Sequence, residues 1–470
     1  MKKRSLIKGI GWGGLYLFLT VAPLFVMLVS PAPGQREFWR ELSVSFGFVG
    51  LSMMALQFVL TARFQWLKSP YGSDVVYLFH RQISIVAFLL IISHPILLFV
   101  FSPSTVSLLN IFTAPWRARA AVVSVLALLG LIGFSIWRKT LKLDYYTWRI
   151  WHGIFAILAV GMALIHIELV GYYLNTPWKK ILWLVYAVFW IGLLLYTRLL
   201  KPLWIMKRPY IVVDVQEERG NAWTITLKPD GHQGLRFHPG QFAWINIRSS
   251  PFSEKEHPFS FSSSSENTET ISFTIKALGD FTKTIKDISV GERVYVDGPY
   301  GSFSIDNHDH AKAFMFIAGG VGITPMMSML RALSDRQDSR PLTLIYANRD
   351  WESITFREEL ESLKRTLNLN VVHVLEQPPH GWNGKTGYIN RDLLEGLLPS
   401  GIQKNDLEIL FGQDPGYFCA GGLGFFGHNG YLRPHHPVQK RGFSHIGAAD
   451  QSNKARFESR QTSISLKHEY

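Results

Sequence analysis

Two patterns of apolar and polar positions divide this 470-residue chain. In the first two hundred residues the apolar positions run together in stretches near the ~20 residues a helix needs to cross a bilayer. Six spans are predicted: about Ile10 to Ser30, Ser43 to Ala62, His80 to Phe101, Ala118 to Trp137, Tyr146 to Glu168 and Ile181 to Leu200. After Lys201-Pro202 alternating strands take over, with Gly, Pro and Asp marking the turns. Strands are predicted over Tyr210 to Val215, Ala222 to Lys228, Gln241 to Ile247, Ile271 to Lys276 and Arg293 to Val296. Several short strands with few helices suggest a small antiparallel β-barrel. From about Ala311 the rhythm becomes strand and helix: Phe314 to Ala318 then Met326 to Leu333, Leu342 to Tyr346 then Thr355 to Lys364, and Val371 to Leu375. That rhythm predicts an α/β doubly wound parallel sheet.

The fold class expected is therefore a multidomain membrane protein. A six-helix transmembrane bundle fills residues 1–205, an antiparallel β-barrel domain 206–308 and an α/β doubly wound domain 309–411. A divergent tail, expected to be disordered, fills 412–470, where amphipathic period gives way to Gly, His, Arg and Ser. The irregular spacing of His428, His435, His436 and His445 in that tail argues against a metal segment. Lys2, Lys3, Arg4 and Lys8 before the first apolar run also suit a signal peptide, but the length of the run and the lack of a small-residue cleavage site favour a retained helix.

Hydrophobic residues make up 47% of the chain, which is too apolar at one end for a soluble protein. With the amino terminus inside, the inner flanks collect Arg63, Lys68, Arg81, Arg138, Lys139, Lys142, Arg149, Arg198 and Lys201, whereas the outer flanks hold only Arg36, Arg40, Arg117, Arg119, Lys179 and Lys180. Both termini are expected in the cytoplasm. The net charge of +13 lies largely at these flanks, where anionic headgroups account for it, and no recognition motif accompanies it, so nucleic acid is not an expected partner. The single cysteine, Cys419, excludes an intrachain disulfide and any cysteine-ligated cluster. A redox centre would have to come from a bound cofactor.

The third and fifth spans carry the candidate chemistry. His80 and His94 lie on one, His152 and His166 on the other, each pair fourteen residues apart. Fourteen helical steps rise about 21 Å and close nearly four turns, so both members of a pair share a face near opposite leaflets. Both spans run outward, which sets His80 at the depth of His152 and His94 at that of His166. Buried polar groups in hydrocarbon are costly without partners, and neutral imidazole is a good ligand for haem iron. The four histidines are candidate metal ligands for two haem groups. Arg81, Arg117, Arg119 and Arg149 lie near those depths and are candidates for pairing with propionates, or ordinary interfacial arginines.

Three motifs mark the other half. His257-Pro258-Phe259-Ser260-Phe261-Ser262-Ser263 is an extended segment whose backbone groups and hydroxyls suit a flavin ring and its ribityl chain. In Lys276-Ala277-Leu278-Gly279-Asp280-Phe281-Thr282 a strand ends in glycine and opens a helix, and free amide donors there would suit a pyrophosphate. Gly319-Gly320-Val321-Gly322-Ile323-Thr324-Pro325 joins an apolar strand to a helix where a dinucleotide could approach closely, without the spacing G-x-G-x-x-G.

With HPFSFSSS, IKALGDFT, DGPYGSF and GGVGITPMM following four spaced histidines, the chain resembles the membrane-bound ferric reductase and NADPH oxidase superfamily, specifically its bacterial members, over about residues 10 to 410. The resemblance implies FAD in the barrel domain, NADPH or NADH in the α/β domain, and two haem b groups in the bundle. By it, His257, Pro258, Phe259 and Ser260 contact the flavin, and Lys276, Gly279, Asp280, Phe281 and Thr282 surround the FAD tail. Gly319, Gly320, Gly322, Thr324 and Pro325 face the dinucleotide. Arg349, at the end of the second strand of that domain, is either a surface arginine or a partner for a 2′-phosphate.

The expected function is electron transfer from cytosolic NAD(P)H through FAD and the haems to a one-electron acceptor, dioxygen or chelated ferric iron, outside a bacterial inner membrane. The chain departs from the family after Leu407 to Phe411, where Gly412-Gln413-Asp414-Pro415-Gly416 replaces a Cys-Gly-Pro motif that helps to position the nicotinamide. That departure favours the alternative, a non-catalytic cytochrome b subunit fed by a quinone or a partner protein. The intact flavin motifs oppose it.

Overall fold

A computed structural model describes residues 2–29, 34, 37–64, 73–397 and 406–412. Six long helices open the chain: α1 (Lys2–Val29), α2 (Phe38–Thr61), α3 (Ser73–Phe101), α4 (Trp116–Ile136), α5 (Tyr145–Val170) and α6 (Pro177–Leu195). Among the described residues five are long and apolar enough to cross a membrane, and the apolar stretch of α1, Gly9–Phe25, is shorter than those five. Six long helices stand where six spans are expected, and five of them meet the length and apolarity of a crossing among the described residues.

Local signals set several ends. Asp144 caps α5 by accepting the N–H groups of Tyr146 and Thr147 at 2.9 and 3.0 Å, and Gly171 ends it at φ 67°. The last span, expected to end at Leu200, continues as helix to Met206. A π-helical turn, Tyr196–Leu200, carries α6 into α7 (Lys201–Met206), with Pro202 in the first turn of α7, where a missing N–H is least costly. Phe48, Leu51, Ala127, Leu128, Ala159, Val160, Trp183 and Trp190 form the bundle core, while Leu89 and Leu184 point outward, as suits helices wrapped in hydrocarbon.

Strands β1 (Tyr210–Glu218), β2 (Ala222–Pro229), β3 (Phe242–Ile247), β4 (His257–Ser260), β5 (Ile271–Lys276) and β6 (Arg293–Tyr300) build one sheet in the order β4-β3-β6-β1-β2-β5, antiparallel throughout. A single antiparallel bridge, Phe261 with Phe273, draws its two edges together. The β4 strand escapes prediction because it is four residues long and contains proline, which an edge strand tolerates. A short helix, α8 (Asp280–Lys283), follows β5.

The last unit alternates β7 (Ala313–Gly319), α9 (Thr324–Asp335), β8 (Leu342–Asn348), α10 (Arg357–Thr366), β9 (Leu369–Leu375), β10 (Lys385–Thr386), α11 (Arg391–Gly396) and β11 (Leu407–Gly412). Its sheet is parallel, in the order β10-β9-β8-β7-β11. Successive side chains of β7 face opposite ways: Phe314 and Phe316 pack with Met326, Leu330 and Leu360, whereas Met315 and Ile317 pack with Leu394. Helices therefore cover both faces, as the strand-helix rhythm predicts. Residues 413–470, the expected disordered tail with its four histidines, lie outside the described residues.

Candidate functional site

The bundle is built from two close helix hairpins. On α2 the residues Ser43, Gly47 and Gly50 share one face, and a Cβ on Gly50 would sit 2.6 Å from Ile91 Cγ1 and 3.2 Å from Ile91 N. Small residues let α2 approach α3 closely. A Cβ on Gly47 would touch the His94 ring at 3.3 Å, and Ser43 reaches His94 Nδ1 with both its carbonyl and its hydroxyl, each at 2.9 Å. In the α4–α5 hairpin, rungs of the same kind climb from Ser135 Oγ on His152 Nδ1 (3.2 Å) through Ser124 Oγ on Ala159 O (2.8 Å) to Arg117 O on His166 Nδ1 (2.7 Å).

These partners decide which ring nitrogen is free. Ser135 donates its own proton to Leu131 O at 2.7 Å and Ser43 donates to His94 O at 2.8 Å, so the imidazoles supply the protons and Nε2 keeps the lone pair. His94 lies within electrostatic range of His166, and His152 within that of His80. The members of each pair come from different helices, α3 and α5. Imidazoles engaged at Nδ1, as those of His94, His152 and His166 are, leave Nε2 as a donor that haem iron would accept, so the residues present fit the group. Among the described residues no three His, Cys, Asp or Glu side chains gather as a metal site of another kind.

A junction of charged groups joins the bundle to the antiparallel sheet. Arg149, near the start of α5 and three residues before His152, places Nη2 2.6 Å from Glu256 and Nε 2.6 Å from Glu254. Arg63 also binds Glu256, and its guanidinium lies 4.8 Å from the Trp244 ring centre. Arg198 pairs with Glu254, and Lys201 lies 2.9 Å from Asp297. Tyr300 donates to Asp297 at 2.6 Å and receives Lys201 at 2.9 Å. Burial alone would raise the Glu256 carboxyl, but Arg63 and Arg149 outweigh it and hold it down at about 2. Burial raises the Tyr300 hydroxyl well above its ordinary value, with the neighbouring Asp297 carboxylate adding to it.

Tyr146, in the first turn of α5, places its hydroxyl 2.9 Å from His257 Nε2 on β4. The near pair, His80 and His152, is thus the level closer to the sheet. The His257 ring stacks on Phe281 with centroids 3.6 Å apart and planes 9° apart, and Phe259 lies 6.3 Å from the same ring. Burial pushes the His257 imidazole down to about 4, so it is neutral at pH 7. Two of the three motifs therefore meet, HPFS through β4 and GDFT through α8, around an aromatic cluster that is only half buried.

The amides of Leu278 and Gly279, just before α8, donate to Thr282 Oγ1, at 2.9 and 2.8 Å. Arg149 is committed to Glu254 and Glu256, and Arg119 donates to the carbonyls of Ala114 and Phe112, so neither is held ready for a propionate. Lys276 closes β5, Asp280 opens α8, and Pro258 and Ser260 lie opposite Trp244 and Phe242 on β3.

Gly319 ends β7, and a Cβ built there meets nothing within 4 Å. Gly320 turns at φ 51°, Gly322 is buried in the same turn, and Thr324 and Pro325 open α9. This places the glycine-rich turn at the carboxyl edge of a parallel sheet, where open α/β folds receive ligands. Arg349 follows β8 at that edge, exposed, with Nε 3.3 Å from Gln377 Oε1. Further along, α9 docks on the antiparallel sheet unit: Ser328 Oγ donates to Ser263 O at 2.8 Å, and Arg331 bridges Ser262 O and Glu359.

Sequence reasoning missed the Nδ1 acceptors, the junction and the Tyr146–His257 contact. The spacing Ser43-Gly47-Gly50 and the acidic pair Glu254 and Glu256 beside the histidine motif were the available signals.

Comparison with known proteins agrees with this division. Residues 46–163 match the family described as ferric reductase like transmembrane component, which takes in His80, His94 and His152. Residues 210–304 match an FAD-binding domain and residues 316–412 an oxidoreductase NAD-binding domain. NADH-cytochrome b5 reductase 2 of Phaeosphaeria nodorum is 30% identical over 212 residues, covering 43% of this chain and 61% of that protein. NADH-cytochrome b5 reductase 1 of Laccaria bicolor is 34% identical over 29% of this chain and 45% of its own. The chain thus spans less than two thirds of the length of these relatives. The crystal structure of the cytochrome b5 reductase domain of Ulva prolifera nitrate reductase is similar at 22% identity and a TM-score of 0.39, over 44% of this chain and 87% of that one. In this chain a ferric reductase like transmembrane component, an FAD-binding domain and an oxidoreductase NAD-binding domain follow one another in a single polypeptide.

Proposed function

We propose that this protein moves electrons across a bilayer, from NAD(P)H on the side of the soluble domains, by way of FAD and two haem groups, to a one-electron acceptor on the far side. The reading is supported by the nearness of His80 to His152 and of His94 to His166 across α3 and α5, and by the contact of Tyr146, at the start of α5, with His257 on β4. When bound, these groups supply the redox chemistry: flavin accepts a hydride and releases single electrons, and haem iron relays them.

The chain's own residues hold and orient. His80, His94, His152 and His166 would hold the haem groups, and Ser43, Ser135 and the Arg117 carbonyl fix three of the four rings with Nε2 left to donate. His257, Pro258, Phe259, Ser260 and Phe281 form the surface for the flavin ring, with Lys276, Gly279, Asp280 and Thr282 around its tail. Gly319, Gly320, Gly322, Thr324 and Pro325 face the dinucleotide, NADPH or NADH, and Arg349, exposed after β8, is the candidate partner for a 2′-phosphate. With His80 and His152 to hold one haem group and His94 and His166 to hold the other, these groups would pass single electrons on to the acceptor, dioxygen or chelated ferric iron, without binding it.

Purified protein supplied with FAD should show bis-histidine haem spectra, and His94→Ala or His166→Ala should remove about half of the haem. Unchanged haem content in both variants would remove the far site. NADPH-driven haem reduction with stoichiometric FAD excludes a cytochrome b subunit fed only by quinol or a partner. Dismutase-sensitive cytochrome reduction against ferrous chelation separates the two acceptors.

A further inference from the structure

The four imidazoles are not held alike. At the far level both Nδ1 protons go to backbone carbonyls: Ser43 O takes that of His94 at 2.9 Å, with Ser43 Oγ equally close, and Arg117 O takes that of His166 at 2.7 Å. At the near level His152 has only the Ser135 hydroxyl, at 3.2 Å. That oxygen is shared, since the Trp148 indole N–H also points to it from 3.4 Å. His80 Nδ1 is buried and meets no acceptor among the described residues. The Ser84 hydroxyl, one turn along α3, is engaged with the His80 backbone carbonyl at 2.6 Å rather than with the ring.

An acceptor on Nδ1 determines what Nε2 offers a metal. A strong one shifts the ring toward imidazolate, raises its basicity and favours the oxidised iron; a weak or missing one leaves a poorer donor and favours the reduced iron. A carbonyl is the stronger acceptor here, because the Ser135 oxygen also serves Trp148 and stands farther away.

We propose that the Nδ1 partners grade the two levels, so that the far pair, His94 and His166, holds iron at a lower reduction potential than the near pair, His80 and His152, with Ser135 as a positioning residue that tempers the difference. The inference rests on the electron-transfer reading above and deepens it: the far level becomes the stronger reductant of the two. That suits an acceptor that is hard to reduce by one electron, such as dioxygen, over an easily reduced ferric chelate.

The test is a potentiometric titration of the purified holoprotein followed by haem absorbance. Two waves are expected, and the one lost in His94→Ala, or in His166→Ala if the first variant does not fold, should be the lower. Ser135→Ala should raise the remaining, upper wave and leave the lower one in place, while Ser135→Thr, which keeps the hydroxyl, should restore it. A single wave, a reversed order, or an unmoved upper wave in Ser135→Ala overturns the grading. If Ser135→Ala does not fold, the order of the two waves in the unaltered protein decides alone. Absence of any bis-histidine spectrum would instead overturn the underlying reading, so the two failures look different.

Discussion

Nη2 of Arg63 stands 2.7 Å from one carboxylate oxygen of Glu256 and 3.0 Å from the other, across a sequence separation of 193 residues. The same carboxylate receives Arg149 from α5, so one acid ties the end of α2 and the start of α5 to the flavin-motif strand. Its side chain is 10% exposed. Removing one partner of such a cluster leaves the others charged and desolvated, which costs more than the cluster's net contribution.

Glu256→Gln is accordingly expected to lower stability by about 3–5 kcal/mol. The loss should be local at first, read as faster amide exchange in residues 254–260 and at the start of α5. Unchanged exchange there, with the charge gone, would show that the junction does not seat the sheet.

The junction also fixes a direction of pH dependence. Glu256 ionises at about 2 in the folded protein against an ordinary 4.5, so its stabilisation, roughly 3 kcal/mol, is complete above the ordinary value and is lost as pH falls from there toward 2. His257, pushed down to about 4 from 6.5, adds a loss of the same sign that begins earlier, because an unfolded chain takes up the proton first. Denaturant titrations at fixed ionic strength should show stability falling below pH 6.5 and more steeply below 4.5. Glu256→Gln should flatten the steeper part; an identical profile in that variant would reject the assignment.

Close approach of α2 and α3 predicts a strong effect of one methyl group. Gly50→Ala gains helix propensity of about 1 kcal/mol, yet its Cβ falls on Ile91, a β-branched side chain with little rotamer freedom, and on the α3 backbone. A net loss of about 1–3 kcal/mol is expected in detergent unfolding. Gly13→Ala, where nothing lies within 4 Å, is the control and should be neutral or stabilising. Equal behaviour of the two would mean that the hairpin can relax.

Periodicity reveals what is local and hides what is not. The long helices, five of the six strands of the first sheet and the parallel strands β7, β8 and β9 follow from apolar runs, period-two alternation and strand-helix rhythm in contiguous sequence. The four-residue β4 strand and the passage of α6 through a π turn depend on what Pro258 and Pro202 find around them, so their own segments underdetermine them. The histidine spacing was legible because a helix converts sequence distance into depth. Ser43, Ser135 and the Arg117 carbonyl were not, because hydroxyls and carbonyls carry no signature until a neighbouring helix arrives. Arg149 illustrates the same limit: its position suggested a propionate, and only the fold brings Glu254 and Glu256 to it.

Residues 257–263 are gripped from three directions. Tyr146 holds the first of them from the membrane helix, the β3 ladder and the bridge to β5 hold the middle, and Ser328 and Arg331 of α9 hold the last two carbonyls. The glycine-rich turn that opens α9 and the helix that carries His152 and His166 are therefore linked by seven residues of chain without slack. A tilt of α9 has a short mechanical path to the helix that carries His152 and His166, and the same short path limits how far the two sheet domains can part without pulling on the bundle.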